Sequence, residues 1–211
     1  MKLRILSLSL LVLCLAAVPA MAQVIYSNGP INGTTDAWTI NSGFTVSDTF
    51  VCGSQCGVTG ISFGVWLFPG DVLESVQVSI TSSEFGGTTY FNGNVNFTQS
   101  GCSGNQYGFN VCGALDEVGF INLAAGNYWL NLANAVVNTG DPVYWDENSG
   151  PSSASENSVG TIPSESFTIL GTSSTSSTTT SSGGTVPEPS SIMLLGSGIL
   201  GLAGVLRRKL F

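Results

Sequence analysis

The sequence predicts an all-β protein, an antiparallel β-sandwich or jelly roll, and three observations predict it. Apolar and polar residues alternate with a period of two in several separate runs. Turn residues punctuate those runs at roughly 10-residue intervals. No long window carries helical spacing, and no internal repeat suggests a propeller or solenoid. Composition agrees. Charged residues make up only 9% of the chain, Gly is abundant, and Ser, Thr and Asn fill the polar positions. Val, Ile, Leu, Phe and Trp recur through residues 24–170, so this segment can bury a core and is not disordered.

The runs follow in order. Phe44, Val46 and Phe50 alternate with Thr45, Ser47 and Thr49. Ile61, Phe63, Val65 and Leu67 alternate with Ser62, Gly64 and Trp66. Val76, Val78 and Ile80 alternate with Gln77 and Ser79, and Tyr128, Leu130 and Leu132 with Trp129 and Asn131. Phe167 and Ile169 close the series. Turns are expected at Asn28-Gly29-Pro30, Pro69-Gly70-Asp71, Gly86-Gly87, Asn92-Gly93, Ala125-Gly126-Asn127 and Ser149-Gly150-Pro151. Trp38, Trp66 and Trp129 fall within expected strands, so all three are assigned to the core.

Charge placement excludes whole classes of function. The basic residues are Lys2, Arg4, Arg207, Arg208 and Lys209, and there is no His. All thirteen acids lie between the two basic ends. Nucleic acid requires cations that the domain lacks. Phosphate esters would be repelled. Catalysis by His, Lys or Arg has no candidate. Neutral ligands such as sugars, and divalent cations, remain.

The two ends read as addresses. Residues 1–22 form a secretory signal: Lys2 and Arg4, an apolar core from Ile5 to Ala17, and the A-x-A site Ala20-Met21-Ala22, leaving Gln23 as mature N-terminus. The domain then spans 23–171. Residues 172–185 are a Ser/Thr/Gly linker unable to bury apolar surface, and a candidate site for O-linked sugar. Residues 186–211 carry Pro187-Glu188-Pro189, an apolar stretch over about 190–206 and the cluster Arg207-Arg208-Lys209. At about 1.5 Å per residue a helix of this stretch is slightly short for a bilayer core of about 30 Å. The basic cluster would stay on the cytoplasmic side, leaving the domain outside the inner membrane.

That tail resembles the PEP-CTERM sorting signal of bacterial surface proteins. The resemblance covers only residues 186–211 and rests on the three parts standing in order. It implies that an exosortase, an integral-membrane cysteine protease, recognises the tail and cleaves near Pro187-Glu188-Pro189. It also implies export by the secretion machinery, residence at the cell surface or in the extracellular matrix, and association with exopolysaccharide and biofilm.

Within the domain, Cys52, Cys56, Cys102 and Cys112 are expected as disulfides in an exported protein. Three pairings are open. The local one, Cys52–Cys56 with Cys102–Cys112, needs the fewest assumptions because each pair closes a Gly-rich turn. The densest polar constellation is Asp141-Pro142-Val143-Tyr144-Trp145-Asp146-Glu147-Asn148. Its oxygens suit calcium. An exposed Tyr144 or Trp145 would suit a sugar ring. The alternative is a short strand with an aromatic in the core and solvated acids beside it. Asp116 and Glu117 form a second acidic pair. Adjacent strand residues point to opposite faces, so alone they cannot make a glycoside hydrolase site. The expectation is therefore an exported, non-enzymatic structural or adhesive protein. The alternatives are a carbohydrate-binding module on extracellular polysaccharide, calcium-assisted or not, and a glycoside hydrolase.

Overall fold

The computed structural model describes residues 22–173. The signal sequence up to Met21, most of the linker and the apolar tail stretch lie outside the described residues. The strands run in the order β1 (Gln23–Ser27), β2 (Ala37–Thr39), β3 (Thr45–Cys52), β4 (Cys56–Leu67), β5 (Leu73–Ser83), β6 (Gly86–Val95), β7 (Thr98–Gly104), β8 (Asn110–Leu123), β9 (Gly126–Val137), β10 (Tyr144–Asp146), β11 (Ala154–Glu156), β12 (Gly160–Ile162) and β13 (Phe167–Ser173). The described residues contain no helix. β13 continues to Ser173, two residues into the segment read as linker.

All strand pairings are antiparallel, and they build two sheets. In the first, β8 follows one edge of β4 from Cys56 to Leu67 and carries β7 outside it. The other edge of β4 is shared. β13, with β1 beyond it, takes it up to Phe63; β10, with β2 beyond it, takes it at Val65 and Trp66. The second sheet runs β12-β11-β3-β9-β5-β6. Inward residues of both sheets share one core, with Phe63, Val65, Phe167 and Ile169 from one side and Val46, Phe50, Val78, Ile80, Leu130 and Leu132 from the other. Each such large side chain contributes about 1.5–3 kcal/mol on burial. The expected two-sheet architecture and the inward phases of these runs are thus present.

Four details differ from the sequence reading. Asn92-Gly93 is not a turn but lies inside β6, opposite Ser79 and Val78. The eleven-residue β5 pairs along β6, and the Phe91 ring lies against the bare Cα side of Gly93, covering a position without a side chain. Phe44 precedes β3 and is exposed, because β3 begins at Thr45 after the left-handed pair Ser42 and Gly43. Trp129 is half-buried on the outer face of the second sheet, since Tyr128 and Leu130 occupy the inward phase. Trp66 is buried, but on the outer side of the first sheet; of these three tryptophans only Trp38 packs against the core.

The cysteines form Cys52–Cys56 and Cys102–Cys112, the local pairing. The first bridge joins the end of β3 to the start of β4, and so one sheet to the other. The second ties edge strand β7 to β8.

Candidate functional site

The shared edge of β4 creates a junction at Gly64. The Gly64 amide donates to the Ser166 carbonyl at 3.1 Å, and the Ser166 amide to the Asp146 carbonyl at 2.8 Å. Just beyond, Glu147 and Glu165 form an isolated antiparallel bridge. Directly opposed residues of such a bridge project to the same face. Glu165 is in the inward phase of Phe167, so both glutamates turn between the sheets.

Asp48 of β3 meets them from the second sheet. It shares the inward phase of Val46 and Phe50 and has no exposed surface. Its Oδ2 accepts from the Glu165 amide at 2.7 Å and from Asn28 Nδ2 at 3.2 Å; its Oδ1 accepts from the Thr49 amide at 2.6 Å. Asn28 is the hub. Its Nδ2 also donates to Ser152 Oγ at 2.5 Å and the Glu165 carbonyl at 2.6 Å, while its Oδ1 accepts from Tyr26 Oη and the Ser152 amide. Gly150 must lack a side chain here, because a Cβ would strike the Asn28 carbonyl.

Glu165 stands apart from this satisfied network. It is 0% exposed, and neither carboxyl oxygen has a hydrogen-bond partner among the described residues. Burial, then the charges of Asp48, Glu147, Asp146 and Asp36, push its carboxyl well above the usual range. No basic residue lies between residues 5 and 206 to offset them. The protonated form is therefore favoured. Burial also raises Asp48 to about 6, against the lowering effect of its hydrogen bonds. The same burial, followed by the Asp48 charge, raises Tyr26.

The 144–148 stretch is split by strand alternation. Trp145 points inward with 0% exposure, between Phe63 and Phe167, and its Nε1 donates to the Ser166 carbonyl at 2.9 Å. Asp146 points outward yet is fully buried. It accepts from the Gly33 amide at 2.8 Å, the Asn32 amide at 2.9 Å and Trp66 Nε1 at 2.6 Å. Glu147 Oε2 accepts from Trp38 Nε1 at 3.0 Å. Asn148 Nδ2 donates to the Asn28 carbonyl at 2.7 Å. Tyr144 is half-buried against Phe109, and Asp141 is exposed outside the junction. The stretch is thus a set of staples facing two ways. It is neither a single convergent loop nor an aromatic platform. Among the described residues, no three His, Cys, Asp or Glu side chains come together to hold a metal ion.

The Asn32–Thr35 turn stapled by Asp146 forms one wall of an open cleft of about 480 Å³. The other wall is the segment through Ser103, Asn105 and Gln106. Asn105 Nδ2 donates to the Gly33 carbonyl at 3.1 Å, and Gln106 Nε2 to the Thr34 carbonyl at 3.3 Å. Tyr107 Oη donates to the same Thr34 carbonyl at 3.2 Å. The Tyr107 ring is 52% exposed and stacked on Trp66 at 5.7 Å. Phe109 packs against Trp66, Phe68 and Tyr144 behind it. Every residue lining this cleft is uncharged. Asp116 and Glu117 lie elsewhere, beside Leu115 and Leu170 in a separate cleft.

Asn28, Asp48, Glu165 and the Asn105–Tyr107 wall were not singled out from the sequence. For two of them the signal is present. Asp48 and Glu165 are carboxylates at inward positions of alternating runs. The cleft wall offers none, because amides in a loop carry no periodicity.

Residues 185–209 match the PEP-CTERM protein-sorting motif, a span that contains Pro187, Glu188, Pro189, Arg207, Arg208 and Lys209. No curated protein matches the chain. The tail is a PEP-CTERM sorting signal, which marks an exported protein with exosortase as its processing partner.

Proposed function

We propose that the domain is a non-catalytic structural or adhesive module, displayed at the bacterial surface or in its matrix after exosortase processing. One observation carries this reading. The carboxylates gathered at the junction are buried, while the residues lining the accessible cleft are all uncharged, with the amides of Asn32, Asn105 and Gln106 and the hydroxyls of Thr34 and Ser103. Such a surface can hold a neutral partner but has no acid–base pair to act on it. The acidic pair Asp116 and Glu117 is adjacent on one strand, which does not place the two across a scissile bond.

A second reading is a carbohydrate-binding module. The exposed ring of Tyr107 beside Asn32, Thr34, Asn105 and Gln106 favours it, because rings stack on sugar faces and amides bond hydroxyls. Incubation of the exported protein with extracellular polysaccharide separates the readings. The structural reading expects no shortening of the polymer and at most weak retention. Retention lost in Tyr107→Ala establishes the binding module. Shortened polymer, abolished by a single carboxylate substitution, overturns both.

A further inference from the structure

The two sheets expose five edge strands among those described, and four of them are blunted. β2 and β12 have three residues each, and β2 follows directly on Asp36. β1 has five residues and an irregularity between Val24 and Tyr26. β7 is broken in register between Ser100 and Ser103, beside bridged Cys102. Short length, charge and bulges are the devices by which natural sheets avoid edge-to-edge pairing.

β6 has none of them along its outer half. It has ten residues, contains neither charge nor proline, and pairs only with β5 among the described strands. Its register irregularities are confined to the hairpin end, between Ile80 and Ser83 of β5. From Phe91 to Val95 the ladder is regular, so its far side presents an unpaired row of backbone donors and acceptors.

Charge selects the occupant. From Phe85 to Leu115 there is no Asp, Glu, Lys, Arg or His, the longest uncharged run of the domain. Edge strand β7 shares that run but is broken in register, and where the domain's acids lie a second copy is repelled, with no base to bridge them. At β6 it is not. An antiparallel pair of β6 strands places the two Glu84 residues at opposite ends, roughly 40 Å apart, beyond the screening length of physiological salt.

We infer that β6 is a self-association edge, through which a second copy of this chain extends the second sheet across a two-fold axis. Sedimentation velocity on the exported protein over a dilution series tests it. The expected result is a dimer that dissociates on dilution. Asn92→Lys with Asn94→Lys sets like charges on the exposed face of the regular part of the edge, and is expected to weaken the dimer about tenfold or more. Thr168→Lys, on the outer face of the first sheet, is expected to leave it unchanged. Hydrogen exchange gives a second readout, with β6 amides slowing as concentration rises and β12 amides not. A protein monomeric at its highest soluble concentration, or a dimer indifferent to the β6 lysines, overturns the inference.

Discussion

The junction around Asn28, Asp48 and Glu165 and the cleft around Asn32, Asn105 and Tyr107 are both polar, and both hold turns in place with side-chain hydrogen bonds. They differ in solvent. The junction groups are buried, so each donor or acceptor depends on its protein partner. The cleft groups are largely exposed, so water replaces a lost partner. Asp146 stands between them. It is buried, yet its three donors come from the cleft turn and from Trp66. Equal hydrogen-bond chemistry should therefore have unequal consequences on the two sides.

The largest effect is expected at Asn28. Asn28→Ala removes a fully buried amide that serves Asp48, Ser152, the Glu165 carbonyl and Tyr26. Several buried groups lose a partner at once, with a cost of about 3–5 kcal/mol. Urea unfolding reads it directly. A cost below about 1 kcal/mol would mean that water reaches the junction, and the contrast with the cleft would fail.

The second effect is a dependence on pH. Asp48 has an ordinary value of 3.8 and stands at about 6 in the fold. Its native state binds the proton more tightly than the unfolded chain does. The associated stability is fully present below about pH 4 and is lost as pH rises through 6. The shift corresponds to about 2–3 kcal/mol. Glu165, facing Asp48, Glu147, Asp146 and Asp36, is raised in the same sense. Unfolding midpoints measured from pH 4 to 8 should fall across this window, and Glu165→Gln should raise the midpoint more at pH 8 than at pH 5. A flat profile, or a gain from Glu165→Gln that is equal at both pH values, would contradict a junction held by protons.

The framework of the sheets was legible because inward phases repeat. Val46 and Phe50, Phe63 and Val65, Leu130 and Leu132 all fall where a period of two places them. The same period contained the junction. Asp48 lies between Val46 and Phe50 in the inward phase, and Glu165 two residues before Phe167, but a carboxylate attracts notice only beside other carboxylates in sequence. The 141–148 stretch drew notice for that reason, although alternation sends Trp145 and Asp146 to opposite faces. Nothing in the sequence brings Asn28 to Asp48 or Gly33 to Asn105, since those contacts depend on which strand shares the edge of β4. The Asn92-Gly93 turn failed because a local turn preference competed with a full ladder against β5.

The smallest effect is expected beside the cleft, at Tyr107. Tyr107→Phe deletes one hydrogen bond, from the phenol to the Thr34 carbonyl, and keeps the stack on Trp66. The ring is half exposed, so water can take up the freed carbonyl, and the cost should stay within about 0.5 kcal/mol. Urea unfolding beside Asn28→Ala, under the same conditions, makes the comparison. If the cost instead approaches that of Asn28→Ala, the cleft wall is part of the structural core. The uncharged cleft would then lose its standing as a free contact surface, because residues that the fold depends on so heavily are not available to rearrange around a partner.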